Sequence, residues 1–347
     1  MVLAVTIGMG SALALSRLQR GALSARDAEH EQKTAHQTHD GGGAAKPQDI
    51  PARGWWDIAR RTYHEIDKDR VRAVAAGVTF YALLALFPAL TALVSVYGLV
   101  AEPATISEHV ASVEGLLPAG AGGFLQDQIE RIVQGGEGKL GFAFAVSLTL
   151  AIWSANAGVK AIFDALNVAY GENEKRGFIK LNLVSLSFTV GILAFILLAI
   201  GGVAAVPVLL DYLSLGKGGE WLVSIGRWPV LILVLVAGLA ALYRFGPSRD
   251  EAQWKWVSPG ALVASVAWLV GSLLFSWYVA NFEDYNKTYG TIGAVIGLLS
   301  WMWLSATIVL VGAELNSETE RQTERDTTKG APKPIGLRGA DAADRKG

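Results

Sequence analysis

Two long apolar runs near the C-terminus, residues 258–279 and 291–313, contain no Asp, Glu, Lys or Arg. Each matches the ~20 residues that carry a helix across a ~30 Å hydrocarbon core. Only the polar stretch 281–290 (NFEDYNKTYG) separates them, so two spans joined this way must run antiparallel. The chain is therefore expected to build a helical hairpin in a bilayer. Trp268, Trp277 and Tyr278 ride on the first run and Trp301 and Trp303 on the second, and amphipathic rings of this kind mark membrane interfaces.

Across all 347 residues, 52% are hydrophobic and only 18% charged, against about 25% charge in soluble domains. The chain has no cysteine, which excludes a disulfide framework, a thiolate nucleophile and a Cys-based metal site. Its histidines, His30, His36, His39, His64 and His109, all lie outside the apolar runs. Neither a metal nor any other cofactor is expected.

Residues 1–15 are apolar, but fifteen residues span only ~22 Å at ~1.5 Å each. With no basic n-region before them and Arg17 and Arg20 after them, they do not resemble a cleaved signal. They read as a short extra helix with its N-terminus outside, or as a start placed too far upstream. Residues 1–52 then form an apolar stub and a polar, Gly-rich linker of disordered composition, in which His30, His36 and His39 are solvated. Residues 53–320 form the membrane domain, and 321–347 a disordered tail.

The membrane domain opens with an amphipathic helix over residues 55–69, suited to lying in the headgroup layer, to packing against the cytoplasmic ends of the other helices, or to both. Trp55, Ala59, Thr62 and Ile66 recur at helical spacing on one face, with Arg60, Arg61, Asp57 and Glu65 on the other. Four further spans precede the hairpin, at residues 73–100, 140–157 (helical to about 170), 181–210 and 228–245. Pro88 removes one backbone bond in the first and is expected to bend it. The loop 101–139 carries two amphipathic helices, one with a capping box at Thr105–Glu108 and Ile106, Val110, Val113 and Leu117 on a face, the other around Phe124, Ile129 and Val133. They are expected to frame the outer mouth of a cleft.

Charge sidedness orients the spans. Twenty Lys and Arg lie in residues 51–72, 158–180, 244–256 and beyond 314, against five on the other side (Arg131, Lys139, Lys217, Arg227 and Lys287). The positive-inside rule then places both termini of the six-helix core in the cytoplasm. The expected fold class is an all-α, polytopic, six-span membrane protein.

Polar residues at membrane depth are functional candidates by default. Asn156, Lys160, Asp164 and Asn167 recur four, four and three residues apart and so share one helix face. They read either as a substrate or ion site or as a structural clamp in which Lys160 snorkels and pairs with Asp164. Small residues at helical spacing, Gly260 with Ala264, Ala161 with Ala165 and Gly293 with Gly297, allow close helix approach. There is no P-loop, no H-E-x-x-H and no G-x-S-x-G motif, and no catalytic residue is assigned.

Several of these motifs form a set. The run AAGVTFYALLALFP at 75–88 contains Gly77, Tyr81 and Pro88, and WSANAGVKAIFDALN at 153–167 opens on Trp153. PGAxxAxxW follows at Pro259, Gly260 and Trp268, then FxxYVANF with Tyr278, Tyr289-Gly290, and a closing GAELN with Gly312, Glu314 and Asn316. Together, over residues 57–319, they resemble the YihY/BrkB family of bacterial inner-membrane proteins, formerly named ribonuclease BN. The resemblance implies a six-helix inner-membrane protein with cytoplasmic termini. It also brings associations with tRNA processing, serum resistance and envelope lipid handling, and a shared name is only an associational warrant for any of them. The expected function is non-enzymatic transport, or assistance in transport, of an amphipathic envelope molecule such as a lipid. A membrane scaffold is the alternative, and the ribonuclease a remoter one. Expected partners are membrane lipids and an envelope protein, with no nucleic acid.

Overall fold

A computed structural model describes residues 41–97, 142–213, 217–281 and 291–345. The loop 101–139 with its expected helices, the hairpin residues Tyr289 and Gly290, and residues 1–15 lie outside these. The described chain is helical: α1 Ala52–Lys68, α2 Val71–Tyr97, α3 Phe142–Ala169, α4 Phe178–Leu213, α5 Lys217–Phe245, α6 Trp254–Asn281, α7 Thr291–Arg321 and the short α8 Asp341–Asp344. No strand occurs among the described residues, only one isolated bridge between Ala252 and Thr328.

Five helices, α2, α3, α4, α6 and α7, are long and apolar enough to cross a membrane. In α5 the described apolar stretch is shorter, Pro229–Phe245. Charge-free runs become helices here because hydrocarbon offers backbone groups no partner outside their own segment. Pro88 lies inside α2, which continues through it from Val71 to Tyr97, although proline has no N–H for the carbonyl one turn earlier.

The helix ends at Val71, Ala169, Phe178, Phe245, Trp254 and Arg321 gather at one end of the bundle, joined by short loops. The main core cluster lies towards this end and includes Val71, Leu166, Tyr170, Tyr243, Val257 and Ala313. Farther along, Leu150, Leu198, Leu233 and Leu273 stay exposed, a surface suited to lipid. Helices α2 and α3 approach closely where Gly158 faces Ala85, and a Cβ on that glycine would stand 3.1 Å from the alanine Cβ.

Helix α1 lies across this end. It turns into α2 at Asp69-Arg70, where Arg70 adopts the left-handed region at φ 52°, uncommon for a residue with a side chain. Its buried residues are Gly54, Ile58 and Thr62; of the expected stripe, Trp55 and Ile66 also pack against buried clusters and only Ala59 is exposed, while Trp56 and Tyr63 point outward. Ile58 packs with Trp256, and Arg61 Nε donates to Glu318 Oε2 at 2.7 Å.

Two segments expected to be disordered are instead packed. Residues 41–50 bury Ala44 and Ile50 against Ile58 and Trp256. Residues 322–345 wrap back over the same end, where the Glu324 N–H donates to the Gly42 carbonyl and that of Gln253 to the Thr327 carbonyl, at 2.8 and 2.9 Å. Buried Arg338 donates to the carbonyls of Glu324, Arg325, Lys333 and Ala343. The tail is too poor in apolar residues to form a core alone. It is held by backbone pairing, a five-donor guanidinium and small residues, Ala340, Ala342 and Ala343, that fit against the bundle. The end covered by α1 and the tail is the capped end.

Candidate functional site

The candidate polar face does not converge on one place. Asn156 is buried, and its Oδ1 accepts from Thr189 of α4 at 3.0 Å. Three turns on, Asn167 Oδ1 accepts from the Ser248 N–H at 2.7 Å and its Nδ2 donates to Glu174 at 3.3 Å. Between them Lys160 lies over the Trp153 ring, 5.4 Å from its centroid, rather than against Asp164, which is exposed. The two asparagines each pin α3 to a different neighbour. Beside Asn167, burial opposes the charge on Glu174. The Arg176 side chain and N–H and the Ser248 hydroxyl outweigh it and bring the carboxyl down to about 2.

The PGA and GAELN motifs do come together, at the crossing of α6 and α7. Asn316 reaches into the first turns of α6 on either side of Pro259. Its Oδ1 accepts from the Gly260 N–H at 2.7 Å and its Nδ2 donates to the Val257 carbonyl at 3.1 Å. Gly260 faces Gly312 so closely that a Cβ on it would stand 2.1 Å from the Gly312 carbonyl oxygen. Tyr243, which sequence reasoning missed, lies against Gly312 and donates to the Val309 carbonyl at 2.8 Å. Trp268 Nε1 donates to Ser305 at 3.0 Å farther along the crossing. Gly77, Tyr81, Trp153 and Tyr278 are exposed along the bundle.

Below the crossing, at the capped end, lies a buried ionic group. Arg249 and Glu320 pair at 2.6 Å with both side chains fully buried. The guanidinium covers the Tyr170 ring at 4.4 Å, and Thr327 of the tail donates to Glu320 Oε2 at 2.6 Å. Glu314 is buried as well, beside a narrow void that Asp69 also lines. Burial, and then the neighbouring Glu65 carboxylate, raises the Asp69 carboxyl above its ordinary range.

Above this group, in the half of the bundle next to the capped end, the helices leave a cavity of about 700 Å³. That is a ligand-sized volume, within the roughly 300–1,000 Å³ usual for such sites. Five helices, α2, α3, α4, α5 and α7, line it, and no titratable residue does. Its hydroxyls are engaged within the protein: Thr79 donates to the Ala75 carbonyl, Ser187 to the Leu183 carbonyl, and Ser305 accepts from Trp268. The lining is exposed at Ser187, Gly191 and Ile192 of α4 and at Val234, Ala237 and Gly238 of α5, so the cavity opens sideways along these two helices. None of Asn156, Lys160, Asp164 and Asn167 reaches it. Among the described residues no group of three or more His, Asp or Glu is placed to hold a metal ion.

Charge-free spans around an apolar, unsealed cavity define a polytopic helical membrane protein. The model of the virulence factor BrkB family matches residues 62–335, and the chain belongs to this YihY/BrkB family. It is 30% identical over 264 residues to YfkH of Bacillus subtilis, named a ribonuclease-like protein, covering 75% of this chain and 92% of that one. It is 27% identical to a UPF0761 membrane protein of Neisseria meningitidis serogroup B, covering 76% of this chain and 62% of the relative. A UPF0761 membrane protein of Photobacterium profundum is 25% identical, with 79% and 85% covered. The chain thus spans less than two thirds of the Neisseria relative's length. No solved structure matches it.

Proposed function

We propose that the protein is a non-enzymatic inner-membrane transporter, or transport partner, that takes the apolar part of an amphipathic envelope molecule, such as a lipid, into the cavity. The observation that carries this reading is the cavity itself, ligand-sized, open along α4 and α5, and without a free polar group. Water gains little in such a space, because a buried water needs two to four polar partners. An acyl chain needs none. The α4 stripe that lines the cavity at Ser187 and Gly191 continues two turns towards the capped end to exposed Lys180. A base at that level favours an anionic headgroup, by about 1 kcal/mol for each nearby Lys or Arg.

In this reading the bundle has six spans, with α5 as the sixth, and both core termini are cytoplasmic. The sequence asymmetry of twenty basic residues against five supports this orientation, and it puts the cavity in the inner-leaflet half. Reporters fused after Asn316 and within residues 172–176 are expected to report cytoplasm, and fusions near Gly120 and Asn286 the periplasm. A periplasmic signal from the 172–176 fusion would rule out the six-span arrangement.

The cavity is tested by filling it. A Cβ added at Gly191 or Gly238 meets nothing within 4 Å, so Gly191→Leu and Gly238→Leu are expected to fold normally while occupying ligand space. Mass spectrometry of lipids that co-purify with the detergent-extracted protein should detect bound lipid in the parent and severalfold less in Gly238→Leu. Equal lipid in parent and both variants would exclude the cavity as the binding place.

A further inference from the structure

The void beneath the cavity is lined by Asp69 at the α1–α2 elbow, by Glu314 of α7 and otherwise by apolar side chains: Val71, Val74, Ala165, Val168, Ala169 and Leu310. Glu314 is 1% exposed, and its Oε1 has no hydrogen-bond partner among the described residues. The Asp69 and Glu314 side chains face the same void, so the two carboxyls are neighbours with apolar walls around them. Ionised carboxylates only accept hydrogen bonds, so two of them can bond only when one carries a proton.

The cations nearest the pair are each bonded to other carboxylates. From α1, Glu65 adds a third carboxylate, and Lys68 is bonded to Glu65 at 2.7 Å. On α7, Glu318 adds a fourth, and it holds Arg61 at 2.7 Å. Arg321, the cation facing the pair, bonds Glu318 at 2.5 Å and Asp341 at 3.7 Å. From α2, Val71 and Val74 reach the void, and Arg72 is paired outside it with Asp67. From α3 come three apolar side chains, with the neutral Tyr170 phenol nearby. The void is too tight to admit a water molecule, still less a hydrated sodium ion.

We propose that Glu314 and Asp69 form a proton-binding site that clamps the α1–α2 elbow to α7. With the proton bound, the two carboxyls share one hydrogen bond and the elbow stays closed. Loss of the proton through half-exposed Asp69 puts two like charges in contact, and the elbow separates from α7. Ala165 and Leu310 line both the void and the cavity above it, so α7 would carry the movement to the ligand space. The proton site stands without the transport reading; only its link to the cavity rests on it.

The test is infrared spectroscopy of the full chain in lipid nanodiscs, titrated from acid to alkaline pH. The parent should show a protonated-carboxyl stretching band at neutral pH that shifts in heavy water and disappears as pH rises. Glu314→Gln should lose that band and keep the helical amide signal. Asp69→Asn, which removes the neighbouring negative charge from an elbow position, should move the band's transition to lower pH by about one unit, a tenfold loss of proton affinity. A parent without the band, a band that survives in Glu314→Gln, or a transition unmoved in Asp69→Asn would each overturn the site. If Glu314→Gln fails to accumulate, the Asp69→Asn titration decides alone. None of these results depends on whether the cavity holds lipid.

Discussion

Gly260→Ala is expected to deplete the folded protein from the membrane, although on helix propensity alone the change should stabilise by about 1 kcal/mol. The new methyl would lie 2.1 Å from the Gly312 carbonyl oxygen and 2.6 Å from the Asn316 side-chain amide. To relieve this, α6 and α7 must separate. Separation breaks the two hydrogen bonds by which Asn316 serves the Gly260 N–H and the Val257 carbonyl. Overpacking costs about 1–3 kcal/mol, and each buried polar group left unpaired adds about 1–3 kcal/mol. Gly312→Ala should behave alike, because its methyl would meet the Tyr243 hydroxyl at 2.4 Å and the Ala264 Cβ at 2.8 Å. Gly77→Ala is the control, since a Cβ there has nothing within 4 Å. Fluorescence-detected gel filtration of tagged variants reads the difference as monodisperse yield. A Gly260→Ala protein that accumulates like Gly77→Ala would show that the crossing is not the tight junction described.

This junction explains how much of the molecule is legible in the chain. Long stretches without charge read directly as helices, because a bilayer leaves them no alternative, and α2, α3, α4, α6 and α7 follow. The small residues Gly260 and Ala264 read as a packing face, yet spacing could not say that Asn316, 56 residues away, completes it. The same limit applies to Asn156 and Asn167. Periodicity puts them on one face of α3 but does not show that α4 stands opposite one and the 246–248 loop opposite the other.

Composition misled in the tail. A segment poor in apolar residues cannot build its own core, but residues 322–345 borrow one, with Arg338 tying four carbonyls together. The cavity lay beyond sequence reasoning for a different reason. It forms where side chains from five helices fail to meet, and Gly191 and Gly238 look like any other membrane glycines.

Arg249→Met is expected to destabilise the capped end by about 3–5 kcal/mol, the usual result of leaving one member of a buried ion pair without its partner. Arg249 and Glu320 are both fully buried, so the orphaned carboxylate has no route to water. Thr327 donates to the same Glu320, and taking up a proton would not restore the contact to the 246–253 loop. The damage should therefore spread to the tail, making residues 322–345 sensitive to protease in a protein whose spans remain inserted. The double variant Arg249→Met, Glu320→Met should recover most of the loss, since replacing a whole buried pair with apolar groups is often neutral or stabilising. Here recovery is favoured further, because Arg249 Nε and Nη1 lack partners among the described residues, and the double variant removes these buried donors along with the charge. Thermal unfolding of the parent, both single variants and the double variant completes the cycle. A single variant as stable as the parent, with a protease-resistant tail, would mean that the pair does not hold the capped end together.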